Sequence, residues 1–121
     1  MKTMLIVDDS AYMQRVIGTF VKDLNVKVVG FAENGEEATK LYKELQPDIV
    51  TMDLAMEKVT GLESLKEIMD IDPNAVVIVI SSTAGQKKVV EKALELGAKE
   101  FFTKPLEKAK FINYINGILA E

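Results

Sequence analysis

The sequence predicts an α/β fold: five strands and five helices in strict alternation, with a doubly wound parallel sheet covered by helices on both faces. Three observations carry this. Short apolar, β-branched runs alternate with stripes of helical period, strand then helix, five times over. The run Ile49, Val50, Met52 and the run Ala75 to Ile80 are apolar on both sides of the pleat, as strands buried on both faces of a parallel sheet are. The connections between runs are short, and parallel neighbours require crossovers that are right-handed almost without exception.

Taken in order, Met4-Leu5-Ile6-Val7 is strand one, closed by Asp8-Asp9-Ser10. Met13, Val16, Ile17, Phe20, Val21 and Leu24 then form the apolar stripe of helix one, which Gly18 weakens without breaking. Val26 to Phe31 is strand two. Asn34-Gly35-Glu36-Glu37 opens helix two, with Ala38, Leu41, Tyr42 and Leu45 on one face and Pro47 as its stop. Strand three, Ile49 to Met52, ends abruptly in Asp53. Thr60-Gly61-Leu62-Glu63 fits a capping box, and Leu62, Leu65, Ile68 and Met69 line helix three as far as the turn Asp72-Pro73-Asn74. Ala75 to Ile80, the most apolar segment, belongs in the sheet interior as strand four and ends in Ser81-Ser82-Thr83. Helix four carries Val89, Val90, Ala93, Leu94 and Leu96 and stops at Gly97. Phe101-Phe102-Thr103 is strand five, followed at once by Lys104-Pro105. Helix five presents Phe111, Ile112, Ile115, Ile118 and Leu119.

Composition bounds the chemistry. A chain of 121 residues fits one domain, residues 1–121, and buries roughly two-thirds of its extended surface. No apolar run approaches the ~20 residues that span a bilayer, so no membrane partner is expected. Met1-Lys2-Thr3 leads almost directly into a strand with no space for a signal peptide, so the expected compartment is the cytoplasm. Cysteine is absent, which excludes disulfides and thiol chemistry. Histidine is absent too, removing the commonest general base and zinc ligand; a histidine in the mechanism must come from another molecule. A net charge of -4 argues against nucleic acid as a partner.

The polar residues at the carboxyl ends of the strands are Asp8 and Asp9, Asp53, Ser82 with its neighbours Ser81 and Thr83, and Lys104. Ligands of open parallel sheets bind at those ends. With strands one and three as neighbours, ~4.8 Å apart, three carboxylates converge. Like charges at such distances repel by about 4 kcal/mol at the dielectric of a partly buried site, so the cluster needs a cation. An all-oxygen donor set suits magnesium, with manganese as the alternative, and does not suit zinc. A carboxylate facing a metal, a hydroxyl and an ammonium is suited to receive a phosphoryl group. Asp53 is then the nucleophile, Lys104 opposes the incoming oxygens and Ser82 donates a hydrogen bond. Each member has a plainer reading: Asp8-Asp9-Ser10 as a helix cap, Lys104 as an exposed strand end, Ser82 as a cap of helix four. Their joint occurrence at four strand ends weighs against these.

Leu5-Ile6-Val7-Asp8-Asp9-Ser10, Pro47-Asp48-Ile49-Val50-Thr51-Met52-Asp53 and Lys104-Pro105 together resemble the acidic pair, acceptor strand and lysine-proline signature of the receiver domain of bacterial and archaeal response regulators. The resemblance covers the whole chain and is nearest to the family's single-domain chemotaxis members. It implies the flavodoxin-like strand order 2-1-3-4-5. By residue it implies Asp53 as phosphoacceptor; Asp8, Asp9, Asp53 and the Ala55 backbone carbonyl as ligands of Mg2+; Lys104 as the phosphate contact. It further implies Ser82 as the switch hydroxyl, chosen over Ser81 and Thr83 by its spacing to Lys104, and Phe101 as a switch aromatic, whose plainer reading is a packed strand residue. Met56 and Gly61 match the family's pattern after the acceptor, whereas Glu57 replaces its proline. Ala55 and Ala84 stand where larger or polar side chains are common, which implies easy access of water to the phosphoryl group and a short-lived acyl phosphate.

The implied function is that of a monomeric signalling protein in a two-component system, rather than a turnover enzyme. It takes its phosphoryl group from a histidine kinase and changes partner binding through the face formed by helix four, strand five and helix five. The implied partners are that kinase, a downstream protein such as a flagellar motor switch component, and a phosphatase. Lys87, Lys88, Lys92 and Lys99 fall on that face, though solvation explains them equally well. Met13, Met52, Met56 and Met69 are expected as core filler. Two other functions compete: a phosphorelay intermediate or other regulator without an output domain, and a magnesium-dependent phosphatase with an aspartyl nucleophile. The last carries Asp-x-Asp on its first strand, unlike the adjacent Asp8-Asp9 here.

Overall fold

A computed structural model describes residues 1–55, 60–82 and 87–121 of the chain. Met56, Glu57, Thr83 and Ala84, to which expectations are attached above, lie outside the described residues. The elements run β1 (Lys2–Val7), α1 (Ala11–Val21), β2 (Val26–Ala32), α2 (Gly35–Leu45), β3 (Ile49–Met52), α3 (Gly61–Ile71), β4 (Val77–Ser81), α4 (Lys87–Glu95), β5 (Glu100–Thr103) and α5 (Lys108–Leu119). The strands form one parallel sheet in the order β2-β1-β3-β4-β5, the order the resemblance implies. No helix among the described residues is long and apolar enough to cross a membrane.

The pleat divides the core. Leu5, Val7, Val50, Met52, Val77 and Val79 face one side, where Ala38 and Tyr42 of α2, Leu65 and Ile68 of α3 and Ala93 of α4 cover them. Met4, Ile6, Ile49, Ile78 and Ile80 face the other, under Ile17 and Val21 of α1 and Phe111 and Ile115 of α5. β3 and β4 are buried along their whole length, so no polar group is tolerated there without reason until the strands end. Met52 is fully buried, and Met13 and Met69 pack against the two clusters, as core filler should.

The helix starts are set locally. Ser10 Oγ accepts from Met13 N at 3.2 Å and Asn34 Oδ1 from Glu37 N at 2.8 Å. Thr60 Oγ1 accepts from Glu63 N at 3.2 Å and donates to Glu63 Oε1, so Thr60 caps α3 as expected, with the Glu63 carboxylate taking the Thr60 hydroxyl where a capping box would use the backbone N–H. Gly97 sits at φ 114 just beyond α4, the left-handed geometry expected of a terminating glycine. Several features differ from expectation: β1 begins at Lys2, β2 runs to Ala32 and β5 begins at Glu100. β4 begins at Val77, because Ala75 N is drawn back to Asp72 O in the preceding turn. Leu24 lies past the end of α1 although it still packs on the core. Leu94 is largely exposed, because Val89, Ala93 and Leu96 already fill the inward face of α4.

Gly61, the first residue of α3, lies against the chain that leaves β3. Its N donates to Leu54 O at 3.3 Å, and a Cβ there would collide with the Asp53 carbonyl oxygen and lie 2.5 Å from Leu54 Cα. These are backbone atoms and cannot swing aside. In a helix alanine normally gains about 1 kcal/mol over glycine, but here overpacking reverses the sign. Gly61→Ala is expected to lose about 1–3 kcal/mol in urea unfolding; a stability equal to or above wild type would contradict the close approach.

Candidate functional site

Because β2 and β3 flank β1 on opposite sides, the order of the sheet reverses at β1, and a crevice opens past the carboxyl ends of β1 and β3. The register pairs Ile6 with Thr51 and Val7 with Met52, so Asp8 and Asp53 emerge side by side. The ladder holds their backbones: Asp53 N donates to Val7 O at 3.0 Å and Asp8 N to Ala32 O at 3.0 Å. Both side chains are withdrawn from solvent, with relative exposures of 1% for Asp8 and 4% for Asp53.

Lys104 supplies the compensating charge from the far edge of the sheet. Its Nζ stands 2.9 Å from Asp8 Oδ2 and 3.3 Å from Asp53 Oδ2. The contact with Asp53 is a hydrogen bond, whereas that with Asp8 is close but poorly aligned for one. The other carboxylate oxygens are fixed by backbone: Asp8 Oδ1 accepts from Ser10 N at 2.9 Å and Asp53 Oδ1 from Ala55 N at 3.1 Å. Gln14 Nε2 of α1 donates to the Asp8 carbonyl at 2.9 Å, a support that no feature of the sequence signalled. The Lys104–Pro105 peptide bond is cis.

Asp9 is exposed, and one oxygen from each of Asp8, Asp9 and Asp53 lies within 4.8 Å of the others. Three carboxylates against one ammonium leave two uncompensated negative charges, which a single divalent ion would balance. The donors are all hard oxygens, and Asp8 Oδ2 has no aligned donor, so the residues fit Mg2+ or a similar ion.

The remaining expected residues sit on the same rim or near it. Ser82 is exposed just past β4. Ser81, at 0% exposure, ends β4 and continues the pleat row of Val79, toward α2–α4, so it faces away from Asp53. Ser81 pairs with Thr103, and Lys104 N donates to Ser81 O at 3.3 Å, which sets Ser82 beside the start of the Lys104 loop. Ala55 is exposed two residues beyond Asp53. Phe101 is half-buried against the cluster under α2, α3 and α4, and in this conformation the packed-residue reading describes it. Phe102 faces the other side, edge-on to Phe111 and Tyr114 at 5.6 and 5.7 Å.

Burial and charge move two ionisable groups of the site. Burial raises the Asp8 carboxyl above the ordinary 3.8, against the pull of the Ser10 N–H and of Lys104, and the Asp53 charge adds to the rise. Burial, the largest single influence on Lys104, lowers its ammonium, but Asp8 and Asp53 together outweigh it and the net shift is upward.

Residues 4–116 match the family described as the response regulator receiver domain. The chain is 44% identical over 117 residues to the chemotaxis protein CheY of Thermotoga maritima, covering 97% of each. It is 48% identical over 107 residues to CheY of Listeria monocytogenes, covering 88% of this chain and 89% of that one. A chain of the CheX-CheY-BeF3-Mg+2 complex from Borrelia burgdorferi superposes with a TM-score of 0.92 at 35% identity, over 99% of this chain and 90% of that one. The response regulator domain of Thermotoga maritima CheB does so with a TM-score of 0.81 at 40% identity, over 88% and 81%.

The raised Asp8 carboxyl has a consequence for stability. Folded protein binds that proton more readily than unfolded chain, so the contribution of Asp8 is most favourable below pH 3.8 and declines as pH rises through its raised value. Asp8→Asn is therefore expected to raise Tm at pH 7 in the presence of a chelator and to flatten the decline from acid to neutral pH. Thermal unfolding across that range checks it; a lower Tm at pH 7 would show that the ion pair with Lys104 outweighs the burial of Asp8.

Proposed function

The chain belongs to the response regulator receiver family, and from that premise we propose that it takes a phosphoryl group from the phosphohistidine of a histidine kinase onto Asp53 and alters protein binding in response. The observation that carries this reading is the Lys104 ammonium held between two buried carboxylates at the rim where the sheet order reverses. Buried acids are costly unless compensated, and this arrangement is one that incoming phosphoryl oxygens can enter.

In the transfer, an Asp53 carboxylate oxygen attacks phosphorus. The P–N bond to the donor imidazole breaks, its electron pair stays on nitrogen, and an acyl phosphate forms on Asp53. The donor must be external because the chain has no histidine. Lys104, already within 3.3 Å of Asp53, turns its charge to the phosphoryl oxygens, and Ser82 donates to one of them from the end of β4. Asp8, Asp9, Asp53 and the Ala55 carbonyl would hold Mg2+, which supplies charge neutralisation for those oxygens. Attack of water on phosphorus later breaks the O–P bond to Asp53, releases inorganic phosphate and restores the carboxylate. The acceptor is the protein's own side chain, modified and then regenerated, so it acts as a signalling protein, with both phosphorylation and dephosphorylation assisted by its own groups.

The phosphoryl group brings close to two negative charges and three acceptor oxygens. Drawing Ser82 and Lys104 toward them alters the ends of β4 and β5 and lets Phe101 turn inward, which changes the surface of α4, β5 and α5. A switch from 1:99 to 99:1 needs about 5.5 kcal/mol of preference for the active state. The relatives named chemotaxis proteins, and the Borrelia chain solved with CheX, support a chemotaxis role with a protein partner; the partners proposed are the kinase, a target such as a flagellar motor switch component, and a phosphatase. We place the protein in the cytoplasm as a monomeric receiver over residues 1–121.

Incubation with acetyl phosphate and Mg2+ followed by mass spectrometry tests the acceptor. A hydroxylamine-sensitive phosphoryl adduct is expected on wild type and absent from Asp53→Asn. An adduct of equal yield on Asp53→Asn would place the acceptor elsewhere.

A further inference from the structure

Two buried side-chain oxygens among the described residues have no hydrogen-bond partner: Asp8 Oδ2 and Thr51 Oγ1. They are close in the fold. Thr51 pairs with Ile6 across β1 and β3, and Asp8 and Asp53 stand two residues further along the same two strands. Two residues along a strand is about 6.6 Å, and alternation returns the side chain to the same face. Asp8, Thr51 and Asp53 therefore share the face covered by α1 and α5, with the hydroxyl one row beneath the carboxylates among Ile6, Ile49 and Ile78.

A threonine there needs a reason. Valine has the same shape and β-branching and brings no polar atom into an apolar layer, yet Thr51 is 0% exposed. Asp8 Oδ2 stands above it, and among the described residues its near cation, Lys104 Nζ at 2.9 Å, is poorly aligned to donate, so this oxygen too retains acceptor capacity. Buried waters occupy such places, joining groups that lie too far apart to bond directly.

We infer that Thr51 is a positioning residue for the acid cluster: its hydroxyl and Asp8 Oδ2 share one internal water, which holds the Asp8 carboxylate from below. The inference rests on the phosphoacceptor reading of the site. On phosphorylation Lys104 turns to the phosphoryl oxygens and releases Asp8. The water and Thr51 then remain to keep Asp8 aimed at the cation site, whereas a carboxylate held by Ser10 N alone would swing.

Partners that orient a ligating carboxylate are worth about 10- to 100-fold in metal affinity. Calorimetric titration of the unphosphorylated protein with Mg2+ is expected to show at least a tenfold loss for Thr51→Val. Its Tm in chelator should be no lower than wild type, and Thr51→Ser should titrate like wild type. A high-resolution crystal structure of the metal-free wild type should show a water within about 3.2 Å of both oxygens. Unchanged Mg2+ affinity in Thr51→Val, or a crystal in which no water joins the two oxygens, overturns the inference while leaving the acceptor assignment intact. Should the valine variant be too unstable to titrate, the crystal alone decides. Mg2+ binding in wild type that Asp53→Asn and Asp8→Asn leave unaltered overturns the reading of the site and this inference with it.

Discussion

The constraint on which the rest depends is that two carboxylates are buried side by side and cannot both stay ionised without a cation. Asp8 and Asp53 are at the ends of adjacent strands because β1 and β3 are neighbours in register, and Lys104 reaches both from β5. Repulsion of about 4 kcal/mol between like charges at such distances is more than a marginally stable domain can ignore. One ammonium offsets part of it, and the exposed carboxylate of Asp9 adds to the deficit. The site thus carries an excess of negative charge that a divalent ion would balance, with the Lys104 ammonium lying against both buried acids.

Packing keeps this imbalance in place. Two apolar layers clamp β3 from both faces, so the strand cannot shift to relieve strain at its end. Gly61 admits α3 to direct contact with the Asp53–Leu54 backbone. The N–H groups of Ser10 and Ala55 fix one oxygen of each acid, and the other faces Lys104. The upward shift of the Asp8 carboxyl follows from this: burial makes its charge unfavourable to the metal-free fold.

Much of this was legible in the chain because the relevant signals are local. Apolar runs, caps at Ser10, Asn34 and Thr60, and a glycine after α4 mark the elements, and the acids and lysine follow the strands where any open parallel sheet exposes them. The strand order came from resemblance, since five alternating units do not by themselves say which strands touch. Other features need the tertiary fold. Gly61 reads as a cap residue until its neighbour across the loop is known. Thr51 reads as one more β-former within an apolar run, and only its burial without a partner sets it apart. Ser81 and Ser82 are equivalent in composition, and the pleat separates them by turning Ser81 to the opposite layer. The start of β4 slipped by two residues because a turn hydrogen bond competed with the ladder for Ala75.

The most direct test is a crystal structure of the protein with beryllium fluoride and Mg2+, since that anion mimics a phosphoryl group without its lability. Beryllium is expected on an Asp53 oxygen, the metal among Asp8, Asp9 and Asp53, and Lys104 Nζ drawn from Asp8 to a fluoride. Beryllium fluoride bound elsewhere, or Lys104 still bridging Asp8 and Asp53 beside an occupied Asp53, would contradict this.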